Sequence, residues 1–123
     1  MPQANVAFPE VFDALKKLFA KQAPKLFAKS DTSEYYYLES KTPTYRNRPM
    51  YFGGVRRGKA YVSFYLMSID GSPQQMKSLS PALKKRMQGK ACFNFTKLEP
   101  ELFAELQKLV DGGYKEFVKR KWL

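Results

Sequence analysis

A strict alternation of apolar and polar side chains occupies the stretch from Ala91 to Thr96. The apolar set is Ala91, Phe93 and Phe95, and the set between them is Cys92, Asn94 and Thr96. Successive side chains of a strand point to opposite faces of the sheet, so this period of two predicts a strand with one apolar and one more polar face. Both faces carry little charge, and we expect the strand to lie deep in the sheet.

The residues just before this strand predict a short helix. Ser80 can accept hydrogen bonds from the exposed amides of a helix start, and Pro81 has the backbone angle of a first helical residue. Gly89 can adopt the left-handed conformation that ends many helices. The sequence therefore predicts a helix over residues 80–88, a glycine turn and the strand.

Four further strands are predicted upstream, over residues 25–30, 35–39, 50–56 and 60–67. The last two form a hairpin around Arg57 and Gly58. In the final strand, one face carries Val62, Phe64 and Leu66, and the other carries Tyr61, Ser63 and Tyr65. The adjacent pair Gly53 and Gly54 predicts a bulge, or a place where another group approaches the backbone closely.

Helical spacing of apolar residues appears near both ends of the chain. It predicts helices over residues 8–22, 100–111 and 114–123. Pro24 ends the first helix, and the pair Gly112 and Gly113 separates the last two. Residues 41–49 read as an exposed loop, and residues 70–73 (DGSP) read as a turn.

The predicted order of elements is α-β-β-β-β-α-β-α-α. Short antiparallel connections with helices at both ends favour an α+β fold, a two-layer sandwich of a mainly antiparallel sheet of about five strands with helices packed on one face. The 123 residues, 44% of them hydrophobic, fit one domain over residues 1–123. No apolar segment approaches the roughly 20 residues of a membrane span. Cys92 is the single cysteine, so no internal disulfide can form and we expect a reducing, cytoplasmic location.

Charge is distributed unevenly along this basic chain. The net charge is +11, and between Ser40 and Leu98 twelve Lys or Arg residues face one acid, Asp70. A segment this one-sided projects a positive potential that concentrates anions. The same charge can instead serve only solubility, and both interpretations remain open.

Several segments together resemble the YdhG-like domain family. They are residues 49–54 (PMYFGG), 61–67 (YVSFYLM), 80–81 (SP), 83–90 (LKKRMQGK), 92–95 (CFNF) and 101–106 (ELFAEL). The likeness covers most of the chain and implies a small α/β sandwich. Some members are described as frataxin-like intracellular iron chaperones, so the resemblance also implies such a role.

An iron site would need oxygen or imidazole ligands. The chain has no His, and its candidate oxygen ligands are Glu99, Glu101, Glu105 and Asp111. Acids in the first turn of a helix mostly complement its dipole. We assign no metal ligands and expect no cofactor.

The polar face of the sheet is the candidate binding surface. If helices cover the apolar face, the opposite face presents Tyr61, Ser63, Tyr65, Asn94 and Thr96, with Tyr51 beside them and Arg56, Arg86 and Lys90 around them. Tyrosines can stack on planar groups and cations can bind anions. The predicted ligand-binding residues are Arg86, Lys90, Tyr65, Asn94, Tyr51 and Ser63.

The leading interpretation is a non-enzymatic binding domain for an anionic small molecule or an acidic partner. The alternatives are the iron chaperone and a single-stranded nucleic-acid binding module, and the tyrosine face could also be a homodimer surface. No motif joins a nucleophile, a base and an electrophilic stabiliser. Cys92 has no His to activate it, so a buried structural cysteine is the favoured interpretation, with a thiol activated by Lys90 as the alternative. Residues 53–59 match a phosphate-binding loop only as far as Lys59, since Ala60 replaces the magnesium-binding hydroxyl.

Overall fold

The computed structural model describes residues 8–41, 47–89 and 91–121. Its sheet has six antiparallel strands in the order β1-β2-β3-β4-β6-β5, and the helices lie against one face. The strands are β1 (Phe27–Asp31), β2 (Tyr35–Glu39), β3 (Tyr51–Arg57), β4 (Val62–Leu66), β5 (Met87–Gln88) and β6 (Cys92–Phe95). The predicted α+β two-layer fold is confirmed, with one strand more than expected.

Four α-helices accompany the sheet within the described ranges. They are α1 (Phe8–Lys17), α2 (Pro73–Ser78), α3 (Pro81–Lys84) and α4 (Pro100–Lys119), with 3-10 turns at Ala23–Lys25 and Met67–Gly71. None of these helices combines the length and the apolarity that crossing a membrane requires.

Aromatic rings join the helices to the sheet. Phe19, just after α1, stacks on Phe64 of β4 with ring centroids 5.0 Å apart. Phe103 of α4 meets Phe95 of β6 edge to face at 5.0 Å. Large buried side chains from both layers form one hydrophobic cluster, as the alternation in β4 and β6 predicted.

The segment from Ser80 to Gly89 differs from its prediction after the first turn. Ser80 caps α3 as expected, because its Oγ accepts a hydrogen bond from the Leu83 amide at 3.1 Å. However, the helix ends at Lys84, and Met87–Gln88 forms the extra strand β5, paired with β6. Gly89 has a φ of +75°, so it adopts the left-handed conformation, but in the hairpin between β5 and β6.

The two predicted C-terminal helices are a single helix. α4 continues through Gly112 and Gly113, and Gly113 serves packing rather than termination. A Cβ on Gly113 would lie 2.3 Å from the Ser68 Oγ, so only glycine lets the helix approach this turn. The prediction of a break here was wrong because it considered backbone freedom alone.

The first helix is shorter than predicted. α1 ends at Lys17, and turns follow up to the 3-10 segment that contains Pro24. This change of direction places Phe19 in the core with no exposed surface. Residues 70–73 also differ, since they end one 3-10 turn and begin α2, which was not predicted. Most of the predicted 41–49 loop lies outside the described residues.

The glycine pair in β3 shows the close approach that was one of its two predicted features, and an irregularity of the pairing lies next to it. The pairing of β2 with β3 shifts register between Leu38 and Glu39, so that Phe52, the residue before Gly53, has no partner in the pairing. A Cβ on Gly54 would lie 2.0 Å from the Tyr36 carbonyl oxygen, and a Cβ on Gly53 would lie 2.6 Å from the Tyr65 carbonyl oxygen. Neighbouring backbones therefore require glycine at both positions.

Candidate functional site

The sheet has a second face, opposite the helices, which we call the open face. Strand pairing places residues in two rows across it. One row contains Tyr37, Gly54, Tyr65 and Cys92; the other contains Tyr35, Arg56, Ser63 and Asn94; and Tyr51 lies beside the first row, opposite Glu39. The predicted division of β4 and β6 into an apolar and a polar face is confirmed.

Four tyrosines, Tyr35, Tyr37, Tyr51 and Tyr65, form what we call the tyrosine cluster. The rings of Tyr37 and Tyr51 have centroids 4.5 Å apart, and Tyr35 meets Tyr37 edge to face at 6.0 Å. Gly54 lies between Tyr37 and Tyr65 in the pairing, so no side chain fills the space between these strands. The result is an open depression of about 210 Å³, lined by the four tyrosines and Arg56.

Three phenols of the cluster, those of Tyr37, Tyr51 and Tyr65, have raised pKa values. Burial, reinforced by the neighbouring tyrosines, raises the pKa of Tyr51 far above its ordinary value. Burial also raises the pKa of Tyr37 and of Tyr65. Among the residues that line the depression, the positive charge comes from Arg56. Lys29 lies beside it, with its Nζ 5.5 Å from the centroid of the Tyr37 ring, and the carboxylate of Glu39 contributes to the raised pKa of Tyr37.

Ser63 and Asn94 belong to a polar ladder across β4, β6 and β5. The Ser63 hydroxyl donates to the Asn94 Oδ1 at 2.7 Å, and the Asn94 Nδ2 donates to the Gln88 Oε1 at 2.6 Å. The Cys92 thiol also points at the Asn94 Oδ1, at 3.5 Å. These contacts give Ser63 and Asn94 a structural role on this face beside the ligand-binding role that was predicted.

Cys92 is a half-buried thiol. Burial raises its pKa, and hydrogen bonds from Ser63 and Tyr65 only partly offset that rise. The thiolate is therefore a minor species at neutral pH, and a thiol in this state is a weak nucleophile.

Arg86 lies at the far end of the open face and is engaged by a carboxylate. Its Nε and its second terminal nitrogen donate to the two oxygens of Glu99 at 2.8 and 2.7 Å. These bonds lower the pKa of Glu99 and raise that of Arg86. A bidentate pair of this kind holds the guanidinium in one orientation, so an incoming anion would compete with Glu99.

The structure thus brings together some of the predicted site residues and separates others. Tyr51 and Tyr65 share the tyrosine cluster, whereas Ser63 and Asn94 form the adjoining ladder and Arg86 pairs with Glu99. Lys90, also predicted, lies outside the described residues.

Three members of the depression were missing from the predicted site residues. They are Tyr35, Tyr37 and Arg56. The alternation of Tyr35 and Tyr37 with the buried Tyr36 and Leu38 was the available signal. Arg56 forms no ion pair with any carboxylate of the described residues, which distinguishes it from Arg86.

The candidate oxygen ligands for iron are mostly engaged elsewhere. Glu105 accepts hydrogen bonds from the Ser80 amide and hydroxyl at 2.8 and 2.6 Å, and Asp111 accepts one from Gln22 at 3.2 Å. Glu99 is held by its arginine. In the part of the chain that the structure describes, no three potential metal ligands are grouped.

Comparisons with protein-family models, with curated proteins and with solved structures find no match to this chain. The resemblance to the YdhG-like domain family therefore stays a prediction from the sequence.

Proposed function

We propose that this protein is a binding domain that holds a planar, anionic ligand on the tyrosine cluster. The observation that carries the proposal is the depression around Gly54, where four phenol rings surround a single arginine that has no carboxylate partner among the described residues. The role is binding rather than catalysis, and we propose the cytoplasm as its location because the only cysteine is a free thiol.

The two parts of the ligand would meet different groups. A flat ring can stack on the exposed ring of Tyr35, because aromatic rings attract one another in stacked and edge-to-face arrangements. Tyr37 already contacts Tyr51 and Lys29 and supports this surface from beside it. A phosphate or carboxylate group can accept charge-assisted hydrogen bonds from Arg56. Arg56 replaces Arg86 as the main cationic candidate, since Arg86 already binds Glu99.

Adenosine 5′-monophosphate is a suitable probe because it joins a planar base to a phosphate. We expect it to bind in titration calorimetry and to bind more weakly to Arg56→Gln by about tenfold, which corresponds to about 1.4 kcal/mol. Adenosine, which has no phosphate, should bind the two proteins equally weakly.

Arg120→Gln is the matched control, since it removes the same charge at the end of α4, in the helical layer. It should bind the nucleotide as the wild type does. Equal affinity of the wild type and Arg56→Gln for the monophosphate, or no binding to either, would refute the proposal.

A further inference from the structure

The tyrosine cluster is one end of a longer path across the molecule. A cleft of about 1070 Å³ at the β3–β4 turn shares Tyr65 and Arg56 with the depression and extends round the edge of the sheet to Phe8 and Pro9 of α1. A third depression of about 570 Å³, beside β5 and β6, shares Tyr61 with that cleft. Because each neighbouring pair has lining residues in common, the three form one continuous surface.

The length of this path can be estimated from the sheet. It runs from β2 across β3, β4 and β6 to β5, which is four steps between adjacent strands. With about 4.8 Å for each step, the path is roughly 19 Å long. That exceeds one nucleotide and fits a short stretch of extended polymer.

Cations line the path along its whole length. The lining includes Arg56, Arg57, Lys59, Lys85, Arg86 and Lys97, with Glu34 as its acid among the described residues. Arg57 pairs with Glu34 at 3.4 Å, and Arg86 pairs with Glu99. The other four cations form no ion pair with a described carboxylate, and of these Lys97 lies near enough to Glu99 to help lower its pKa. The path therefore presents about four charges to a ligand.

Two exposed rings accompany these charges. Tyr35 is 39% exposed at one end, and Tyr61 is 38% exposed where the second and third depressions meet. A single-stranded nucleic acid repeats a phosphate and a planar base in each unit, which matches this combination of cations and rings. An acidic peptide would use the charges and leave the rings without partners.

We infer that the open face binds single-stranded nucleic acid along this path, from the tyrosine cluster to the β5–β6 end. The inference rests on the proposed function and names its ligand class. About four nucleotides fit the path, which is at the lower end of the sites that sheet-based single-strand binders use.

The test is fluorescence anisotropy of a labelled octathymidylate titrated at 50 and 200 mM salt. Each neutralised phosphate of a single strand contributes about 0.7 to the slope of log affinity against log salt. Four cations therefore predict a loss of affinity of about 50-fold between the two concentrations. A labelled heptaglutamate serves as the acidic-peptide probe and should bind more weakly than the oligonucleotide.

Two double variants distinguish the effect of the cations on the path from the effect of the protein's overall positive charge. In the variant with Lys85→Gln and Lys97→Gln, the loss of affinity between 50 and 200 mM salt should fall to about sevenfold, since two phosphate contacts remain. Lys17→Gln with Lys108→Gln removes the same charge from exposed positions on α1 and α4 and should keep the full effect. Tyr61→Leu should lower the affinity for the oligonucleotide by about tenfold, because a ring on which a base can stack is lost.

Binding of adenosine 5′-monophosphate is measured on the same variants. It should be unchanged by the Lys85 and Lys97 substitutions, which leave the tyrosine cluster intact. If the monophosphate binds and the two double variants show the same salt effect, the extended path is refuted while the proposed function stands. Tighter binding of heptaglutamate than of octathymidylate would refute nucleic acid as the ligand class. If adenosine 5′-monophosphate does not bind to the wild type, the proposed function itself is refuted.

Discussion

Adjacent residues of β4 show how different the two faces of the sheet are. Phe64 is fully buried and stacks on Phe19, so every surface of its ring has a partner. Tyr65 is only partly buried, and Gly54 beside it leaves space that no side chain fills. Aromatic residues on one face thus stabilise the fold, whereas those on the other leave ring surface available for a ligand.

The largest expected effect comes from removing a buried ring from the face of the sheet that the helices cover. Phe64→Ala should lower the free energy of unfolding by about 3–5 kcal/mol, because it removes buried ring surface and leaves a cavity. Tyr65→Ala, one residue away, should cost about 1 kcal/mol, as expected for a cross-strand pair on an open surface. Urea unfolding measures both, and equal losses would contradict the division between the faces.

A substitution at Gly113 tests how closely α4 packs against the turn that contains Ser68. Gly113→Ala should lower the free energy of unfolding by about 1–3 kcal/mol, because the new Cβ would collide with the Ser68 Oγ. Gly112→Ala is the matched control, where the nearest atom is the Gln75 Nε2 at 3.3 Å, so this neighbour needs to move by only a few tenths of an ångström. It should be neutral or stabilise by up to about 1 kcal/mol. A similar loss in both variants would point to a need for backbone freedom instead.

Tyr51 makes the open face sensitive to alkaline pH. Burial raises its pKa in the folded state, so its contribution to stability is complete below the unfolded value of about 10 and is lost as the pH rises towards the folded value. Above pH 10, the free energy of unfolding should fall less steeply in Tyr51→Phe than in the wild type, by about 1.4 kcal/mol per pH unit. Urea unfolding at pH 7, 10 and 11 gives both slopes, and identical slopes would show that the phenol ionises freely.

The smallest expected effect concerns the ion pair at the far end of the open face. Arg86 lowers the pKa of Glu99, so the stabilisation is present above the unfolded pKa of about 4.3 and is lost as the pH falls through the lower, folded value. Because the arginine is partly exposed to solvent, Glu99→Gln should cost only about 1 kcal/mol at pH 6. The difference in the free energy of unfolding between the wild type and the variant should shrink in acid. A difference that does not change with pH would mean that packing, and not the ion pair, causes it.

Much of the fold could be predicted because it follows from patterns of apolar, capping and glycine residues that are close together in the sequence. The alternation in Val62–Leu66 and Cys92–Phe95 identified both the strands and their apolar faces, since a half-buried strand must alternate. Ser80 and Pro81 marked a helix start because capping is decided by neighbouring residues. Gly53 and Gly54 indicated the close approach of other strands without showing which strands these were.

The candidate site was less predictable, since it depends on which distant residues become neighbours. Tyr51 and Tyr65 were correctly expected to share a face, but Tyr35 and Tyr37 join them only through the order of β2, β3 and β4. Arg86 and Glu99 are thirteen positions apart, and their pairing arises where β5 meets the start of α4. A basic residue in the sequence does not show whether a carboxylate will reach it.

The sequence by itself determined the α+β class, the faces of the central strands and a positive charge concentrated in the middle of the chain. These properties follow from residue type and period, which need no knowledge of tertiary contacts. Only the tertiary structure decided that α4 runs unbroken past Gly113, that Met87–Gln88 adds a sixth strand, and that Arg56 rather than Arg86 lies beside the tyrosine cluster. Each of these depends on packing between residues far apart in the chain, because a nearby Ser68, a neighbouring strand or an opposing carboxylate can override local preference.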